Sequence, residues 1–454
     1  MDVQQTLAKY ILDPLFAVHE KSNHLEYLHQ FEKSQYYTPE KLKADQLHLL
    51  KVLVLHAYKN CPFYKVRFDD AGFDPTRFQD FSDIRKIPVL TKSDIQKNVP
   101  RLQAQNFILS ELFENKTGGS TGAPLLFYLD KERLFSRKAS TFRHDRWTGW
   151  DVGVKTAVLW GHHRDFLGVQ TWKSKFRKNF YDRKLILDTS DLTAAKMESF
   201  NDSLNSFQPE VYLAYANSIF LFARFLKEKN ISAYHQPKSI ITSAELLTEE
   251  QRQLIEEIFC CKVYNRYGCR ETSIVASECE AQNGMHISAE TLYLEFDTPS
   301  ENTAGKIIIT DLLNYGMPLI RYQIEDMGKP LEGACSCGRS LPRMEISGGR
   351  VTDFLVTADG RVISGASMTI YFIATIPGIA QAQIVQKQKD ELKLKIIKSD
   401  RFDNGTENEI DRNVKKYFGS GMHHEIEYVE KIPTTASGKY RFSISELDPM
   451  EFLS

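Results

Sequence analysis

Hydrophobic and polar positions change period along the chain. In the first hundred residues the repeat is helical. Leu47, Leu50, Leu53, Val54 and Ala57 return at three- and four-residue intervals, behind Thr38 as N-cap, Pro39 at the first helical position and Glu40 in the first turn. Cys61-Pro62 closes that segment, and Phe63–Asp94, with Gly72, Pro75 and Pro88, reads as loop-rich. From about residue 107 short apolar runs alternate with helical stretches. Phe107–Phe113, Leu125–Leu129, Thr156–Trp160, Lys238–Thr242 and Lys262–Asn265 read as strands. Between the last two, a capping box of Thr248 and Gln251 opens a helix with Leu254, Ile255, Ile258 and Phe259 on one face. Val211–Leu226, the most apolar stretch, reads as a buried helix. It holds Asn217, Ser218 and Arg224 and falls short of the ~20 apolar residues of a membrane span.

Strand–helix–strand alternation predicts an α/β fold with a largely parallel sheet. A boundary is expected at Gly348-Gly349. Residues 1–348 would form a large N-terminal domain of mixed sheets and helices with a helical start over 1–100, and residues 349–454 a small α+β domain. Its strands are expected at Phe354–Thr357, Arg361–Ser364, Ala382–Gln386, Leu392–Ile397 and Glu425–Val429, and its helix at Glu407–Phe418.

Composition narrows the function classes. With 58 Lys and Arg against 59 Asp and Glu in 454 residues there is no global basic field, so nucleic acid is not an expected partner. A chain that is 42% hydrophobic and 26% charged can bury a sizeable core, which excludes global disorder. Asp2, and Asp13-Pro14 breaking the first apolar stretch, speak against a signal peptide, so a cytoplasmic location is expected. Seven thinly spread cysteines do not suggest a disulfide framework.

Five motifs carry candidate chemistry. In Thr117-Gly118-Gly119-Ser120-Thr121-Gly122, glycines let the backbone approach phosphate oxygens and hydroxyls add donors; a hairpin turn before Leu125 explains it equally well. In Arg266-Tyr267-Gly268-Cys269-Arg270-Glu271-Thr272 an aromatic can stack on a base and a carboxylate can hold Mg²⁺ on phosphates, against a plain strand-to-helix turn. Asp326 ends the strand-like run that begins at Tyr315, where it would accept ribose hydroxyls or simply close a turn. Gly348-Gly349-Arg350-Val351-Thr352-Asp353 suits a hinge or a passive linker. Lys439, in the loop Pro433–Arg441, would stabilise charge on a phosphate or sit in solvent.

A second constellation is Cys279-x6-His286 with Cys335-x-Cys337. Three thiolates and an imidazole fit a closed, tetrahedral, structural Zn²⁺ site; four unrelated reduced side chains are the alternative. Cys61, Cys260 and Cys261 read as buried small hydrophobes, and Cys269 as a spacer. His162 and His163 follow the strand Thr156–Trp160, whose end would bring them near a site on a parallel sheet; ordinary loop histidines are the other reading.

Taken together in order and spacing, the five motifs resemble the adenylate-forming superfamily, and within it the phenylacetate–CoA ligase group and its capsular-polysaccharide-biosynthesis-like (CapK-like) branch. The resemblance covers roughly residues 45–445. It implies an AMP-forming ligase that activates a carboxylic acid with MgATP and passes the acyl group to CoA, an aryl acid being favoured. An amine or hydroxyl acceptor is the alternative, and a degenerate nucleotide-binding regulator the non-enzymatic one. By this resemblance Thr117–Gly122 form the phosphate loop, and Ser243, Ala244 and Glu245 lie beside adenine. Tyr267 and Gly268 line adenine, Glu271 binds Mg²⁺, Asp326 binds ribose, Arg350 opens the hinge and Lys439 serves adenylation. His162, His163 and Tyr215 face the acid. Arg270, Ala123 and Thr352 depart from the family's usual residues. Some members carry a similar Cys/His/Cys/Cys set, and family members are often dimers, which extends a homodimer to this chain by analogy.

Overall fold

One eleven-stranded mixed sheet organises the chain. It is seen in a computed structural model that describes residues 2–117, 125–161, 176–298, 304–348, 353–368, 372, 376–433 and 441–453. From one edge to the other its strands are Leu292–Asp297, Gly305–Asp311, Tyr322–Leu331, Arg343–Gly348, Met285–Ile287, Ser273–Glu278, Lys262–Cys269, Ser239–Ser243, Val211–Tyr215, Thr156–Trp160 and Lys184–Asp188. The last five run parallel, and the others pair antiparallel. Lys262–Cys269 is where direction changes. The expectation of a largely parallel sheet is corrected accordingly. The antiparallel half is made of local hairpins, which need no crossover helix and so leave no alternation to read.

The parallel strands are apolar almost throughout because helices cover their faces. Helices Ala194–Phe207, Ala216–Glu228 and Glu249–Phe259 supply the core with Phe200, Phe222, Phe225 and Phe259. The last of these helices starts on the expected capping box: Thr248 accepts from the Gln251 amide and Gln251 accepts in return from the Thr248 amide. Thr38 likewise caps the helix Pro39–Asn60 by accepting from Lys41. Leu50, Leu53, Val54 and Ala57 of that helix are buried, in a core shared with the antiparallel half of the sheet.

Four local expectations fail for identifiable reasons. Val211–Leu226 is not one helix. Val211–Tyr215 is a strand and Ala216–Glu228 a helix, because an unbroken apolar run satisfies a doubly covered strand as well as a buried helix. Phe107–Phe113 is not a strand: Leu109–Glu111 forms a 3-10 turn, and the strand is Phe113–Lys116, paired antiparallel with Leu126–Leu129. In the loop-rich stretch, Pro62 does not merely end a helix but takes the first position of the next, Pro62–Asp70. Cys260 is exposed, not buried, because it occupies the left-handed residue (φ +51°) that stops helix Glu249–Phe259.

The C-terminal part forms a four-stranded sheet in the order His423–Tyr428, Glu391–Lys398, Ile379–Gln388, Ser443–Ser445, packed against helix Asn404–Phe418. Ile384, Leu394, Ile396, Ile410, Val414 and Phe418 close its core. The hairpin Phe354–Val356 and Val362–Ser364 joins this part to the larger one by pairing with Asp191–Leu192. Met450 and Leu453 then return to the core under helix Ala216–Glu228, where Arg224 holds Asp448 through two bonds of 2.9 and 2.6 Å. Among the described residues no helix is long and apolar enough to cross a membrane.

Candidate functional site

The parallel strands end in register. Tyr215 lies opposite Ser243, and Ser243 opposite Arg266, so the loops after them open on one edge, where ligands of such sheets bind. There a cleft of about 180 Å³ is lined by Thr117, Ala244, Glu245, Tyr267, Gly268, Arg270, Glu271 and Asp326, among others. Four motifs distant in sequence thus contribute to one cavity.

Each wall has a local cause. After the strand Ser239–Ser243 the chain turns through Ala244 in the left-handed region (φ +70°), a conformation that a residue with a Cβ adopts at a cost of about 1–3 kcal/mol. The turn sends Glu245 back to accept the Asn217 amide at 2.9 Å, at the N-terminus of helix Ala216–Glu228, where negative charge is favoured. The Tyr267–Glu271 stretch is a strand-to-strand turn, not the strand-to-helix turn that its sequence suggests, since Ser273–Glu278 folds back antiparallel. The register slips between Tyr267 and Gly268, and there a Cβ on residue 268 would stand 2.5 Å from the Ser273 carbonyl oxygen. Only glycine allows that close approach.

Two arginines one helical turn apart hold the turn from behind. Arg133 of helix Lys131–Arg146 donates to the Thr272 carbonyl at 2.9 Å while its Nε meets Asp311 at 2.7 Å, and Arg137 donates to the Glu271 carbonyl. Burial pulls the Arg137 guanidinium down to about 10, still charged at neutral pH. With the backbone of Glu271 pinned, its carboxylate accepts the Tyr322 hydroxyl at 3.0 Å. Across the cleft Asp326 accepts the Tyr267 hydroxyl at 2.8 Å. Asp326 lies within the strand Tyr322–Leu331 rather than at its end, four residues from Tyr322, so both carboxylates are tied to one strand. Burial pushes the Cys269 thiol up to about 12, which keeps it protonated and fits a spacer.

The sequence singled out Glu271, Tyr267, Gly268, Asp326, Ala244, Glu245 and Thr117, and these meet at the cleft. The Thr117 amide and hydroxyl both bond Leu125, closing the hairpin across the loop between them. Ser243 spends its hydroxyl on the Arg266 carbonyl at 3.2 Å. Tyr215 is buried at the neighbouring strand end, its ring 4.1 Å from that of Trp160. Gly118, Gly119, Ser120, Thr121, Gly122, His162, His163, Arg350 and Lys439 lie outside the described residues. Asp353, beside the hinge motif, accepts the Ser445 amide at 2.9 Å and a bond from Arg441, and so is tied to the last strand. Sequence reasoning missed Arg133, Arg137 and Tyr322. The i, i+4 arginines on the helix that follows the strand Leu126–Leu129, after the glycine-rich loop, were the available signal.

A second cluster forms around the sheet strand Met285–Ile287. The ligand atoms of Cys279, His286, Cys335 and Cys337 all lie within 4.8 Å of one another. The Cys279 and Cys335 sulfurs are 3.7 Å apart, and Cys337 Sγ is 3.3 Å from His286 Nε2. A tetrahedron with ~2.3 Å metal–sulfur bonds has edges of about 3.8 Å, so the donor set fits Zn²⁺. His286 Nδ1 lies 3.1 Å from the Leu341 carbonyl; donating there leaves Nε2 turned to the sulfurs, as in metal-ligating histidines. Burial holds the imidazole down at about 4, hence neutral, and raises the Cys279 thiol. Burial also works against the Cys337 thiolate, but bonds from Arg339 and the neighbouring thiols outweigh it and lower that group.

Comparison with known proteins agrees with this architecture. Residues 355–446 match the family model of the CapK C-terminal domain. The protein CapK of Staphylococcus aureus is 26% identical over 370 residues, 81% of each chain. Phenylacetate–coenzyme A ligase of Thermus thermophilus is 26% identical over 385 residues, 80% of this chain and 83% of that one, and its Escherichia coli counterpart is 26% identical over 329 residues, 70% and 73%. Among solved structures, 2-hydroxyisobutyryl-CoA ligase with its acyl-adenylate and CoA aligns over 92% of both chains with a TM-score of 0.61 at 19% identity. The same ligase in its post-adenylation state gives 0.59 over 92% of both chains. The chain is therefore similar over most of its length to CapK and to the phenylacetate–CoA ligases, shares the fold of 2-hydroxyisobutyryl-CoA ligase, and matches the CapK C-terminal domain model at residues 355–446.

Proposed function

We propose that the protein is an AMP-forming ligase that condenses a carboxylic acid with ATP and then transfers the acyl group to CoA. The carboxylate oxygen attacks the α-phosphorus, pyrophosphate leaves, and the acyl-adenylate forms. The thiol of CoA then attacks the acyl carbon and AMP leaves. One observation carries the reading: a single cleft gathers Tyr267, Glu271 and Asp326 from separate motifs, with the Ala244–Glu245 turn and Thr117 on its walls.

In this reading Tyr267 and Gly268 line adenine and Asp326 exchanges the Tyr267 hydroxyl for ribose hydroxyls. Glu271 has the oxygen chemistry to hold Mg²⁺, which would offset charge on the phosphates. Thr117–Gly122 cradle the phosphates, and Lys439 is brought to them by residues 349–454 moving about a hinge at Arg350, relative to residues 1–348. His162, His163 and Tyr215 border the acid, and the Trp160–Tyr215 ring pair on that side suits an aryl acid. Cys279, His286, Cys335 and Cys337 hold a structural Zn²⁺. The reaction belongs in the cytoplasm, where ATP and CoA are supplied.

A second acceptor is kept in view by the match of residues 355–446 to the CapK C-terminal domain, a name that specifies no acceptor. In that reading an amine or hydroxyl takes the acyl group, giving an amide or ester. The test is ATP–pyrophosphate exchange with a panel of aryl, fatty and amino acids, then product analysis with CoA or amines. Acid-dependent exchange, lost in Lys439→Ala, is expected. No exchange with any acid of the panel would sink the ligase reading in favour of a nucleotide-binding regulator, and acid-dependent exchange unaffected by Lys439→Ala would remove Lys439 from the adenylation step.

A further inference from the structure

Seven of the fifteen exposed large hydrophobic residues among the described part of the chain lie in two neighbouring segments, residues 3–18 and 176–180. Residues 3–19 form one continuous helical rod whose middle, Ala8–Leu12, is a π-turn. Gln5, Ala8, Asp13 and Ala17 face the protein and are buried. Val3, Leu7, Ile11 and Leu15 recur every fourth residue, and Val18 comes next; Val3 is 86% exposed, Ile11 50%, Leu15 60% and Val18 79%. Fourfold spacing drifts around an ordinary α-helix, and the wider π-turn in the middle counters that drift and keeps the row in line.

The second segment stands beside the rod. Arg177 meets Glu20 at 2.7 Å, Tyr181 reaches buried Asp13 at 2.5 Å, and the rings of Phe16 and Tyr181 are 5.0 Å apart. On its outer side Phe176 and Phe180 are exposed and stacked at 4.9 Å. Residues 2–21 and 176–184 carry six Lys and Arg against four Asp and Glu. Of those charges Arg183 pairs with Asp2, Arg177 with Glu20 and Lys9 with Asp151, and Asp13 is buried under Lys138 and Tyr181, which leaves Lys21, Lys178 and Lys184 against Asp182. Lys178 and Lys184 are exposed.

An apolar row needs an occupant. A rod of this length offers roughly 25 by 10 Å, or about 250 Å², well below the ~800 Å² per partner of a stable protein interface, and a second copy would bring the same cationic surroundings. A bilayer sets no such minimum. Apolar side chains on one face with lysines around them are what an in-plane helix uses on anionic lipid. We propose that the rod Val3–His19, with the Phe176–Phe180 pair, docks the protein on the surface of an anionic lipid bilayer without crossing it.

The test is flotation of the full-length protein with vesicles of phosphatidylcholine alone or mixed with phosphatidylglycerol. Flotation with the mixed vesicles is expected, weakened by salt and weak with phosphatidylcholine alone. Leu15→Glu with Val18→Glu should lose at least about tenfold in vesicle affinity. Its circular dichroism and unfolding midpoint should match the parent, and the milder Val3→Ser should give a smaller loss. Lys178→Glu with Lys184→Glu should remove the preference for phosphatidylglycerol. No flotation with either vesicle overturns the proposal, as does equal flotation of the Leu15→Glu, Val18→Glu variant. A concentration-dependent dimer in sedimentation that this variant abolishes would make the face a self-interface instead.

Discussion

The cleft at Glu271 and the thiol–imidazole cluster at His286 are built on the same antiparallel ribbon, Lys262–Cys269, Ser273–Glu278 and Met285–Ile287. They differ in how their polar groups are satisfied. In the cleft each functional group is held by a protein group that a ligand can replace: Asp326 by a tyrosine hydroxyl, Glu271 by another, with only the backbone pinned by buried arginines. In the cluster four side chains converge on one point, His286 and Cys279 are fully buried, and the remaining ring nitrogen is spent on a carbonyl. Exchangeable partners and an opening suit a site proposed to turn over, whereas closure on one point suits a site proposed to hold the fold together.

The largest way to break this contrast is at the cluster. Cys335→Ser should cost about 3–5 kcal/mol in chemical denaturation and lower bound zinc from near one per chain, measured by plasma mass spectrometry. If the variant unfolds like the parent and the parent holds no zinc, the cluster is not a metal site. At the cleft, Glu271→Gln should lower acid-dependent pyrophosphate exchange on the order of 10²–10³-fold while leaving the unfolding midpoint almost unmoved. A large loss of stability there would erase the distinction between the two regions.

Once the protein is stripped of metal by chelation, acid should act on the cluster. Burial lowers the His286 imidazole from the ordinary 6.5 to about 4. Between those values the unfolded chain binds the proton and the folded chain does not, so stability is full above pH 6.5 and falls as pH drops towards 4. Denaturation midpoints across that window should show the slope, and His286→Asn should remove its share. Gly268→Ala tests whether the cleft depends on backbone approach. With the added Cβ only 2.5 Å from the Ser273 carbonyl, a cost of about 1–3 kcal/mol and weakened ATP binding by calorimetry are expected. The smallest effect is Tyr267→Phe, which removes one hydrogen bond to Asp326 and should change the KM for ATP by less than about tenfold, with kcat little altered.

Where a feature was carried by local chemistry, the sequence was readable. The caps Thr38 and Thr248 work through atoms three residues away, and both helices start where those residues say. Cys279, His286, Cys335 and Cys337 announce themselves because thiol and imidazole are rare and specific donors. Val211–Leu226 was misread because an apolar run reports burial and not period. The strand-to-helix turn offered as the plain alternative at Glu271 fails because the element after it, a returning strand, is decided by pairing with residues 262–269 and not by the turn itself.

By itself, then, the sequence determined the inventory: where the capped helices start, which residues carry the chemistry proposed for phosphate, base, ribose or zinc, and which family's order of motifs they resemble. Only the tertiary structure decided the assembly. It set the parallel half of the sheet against the antiparallel half, brought Asp326 to Tyr267 across 59 residues, and placed Arg133 and Arg137 behind Glu271 from more than a hundred residues away. It also left Val3, Ile11, Leu15 and Val18 facing outward, although nothing in their spacing distinguishes them from a buried row. The reason is physical. Capping and ligand chemistry act over one turn or one bond, whereas strand pairing and burial are settled by the whole chain competing for the same partners.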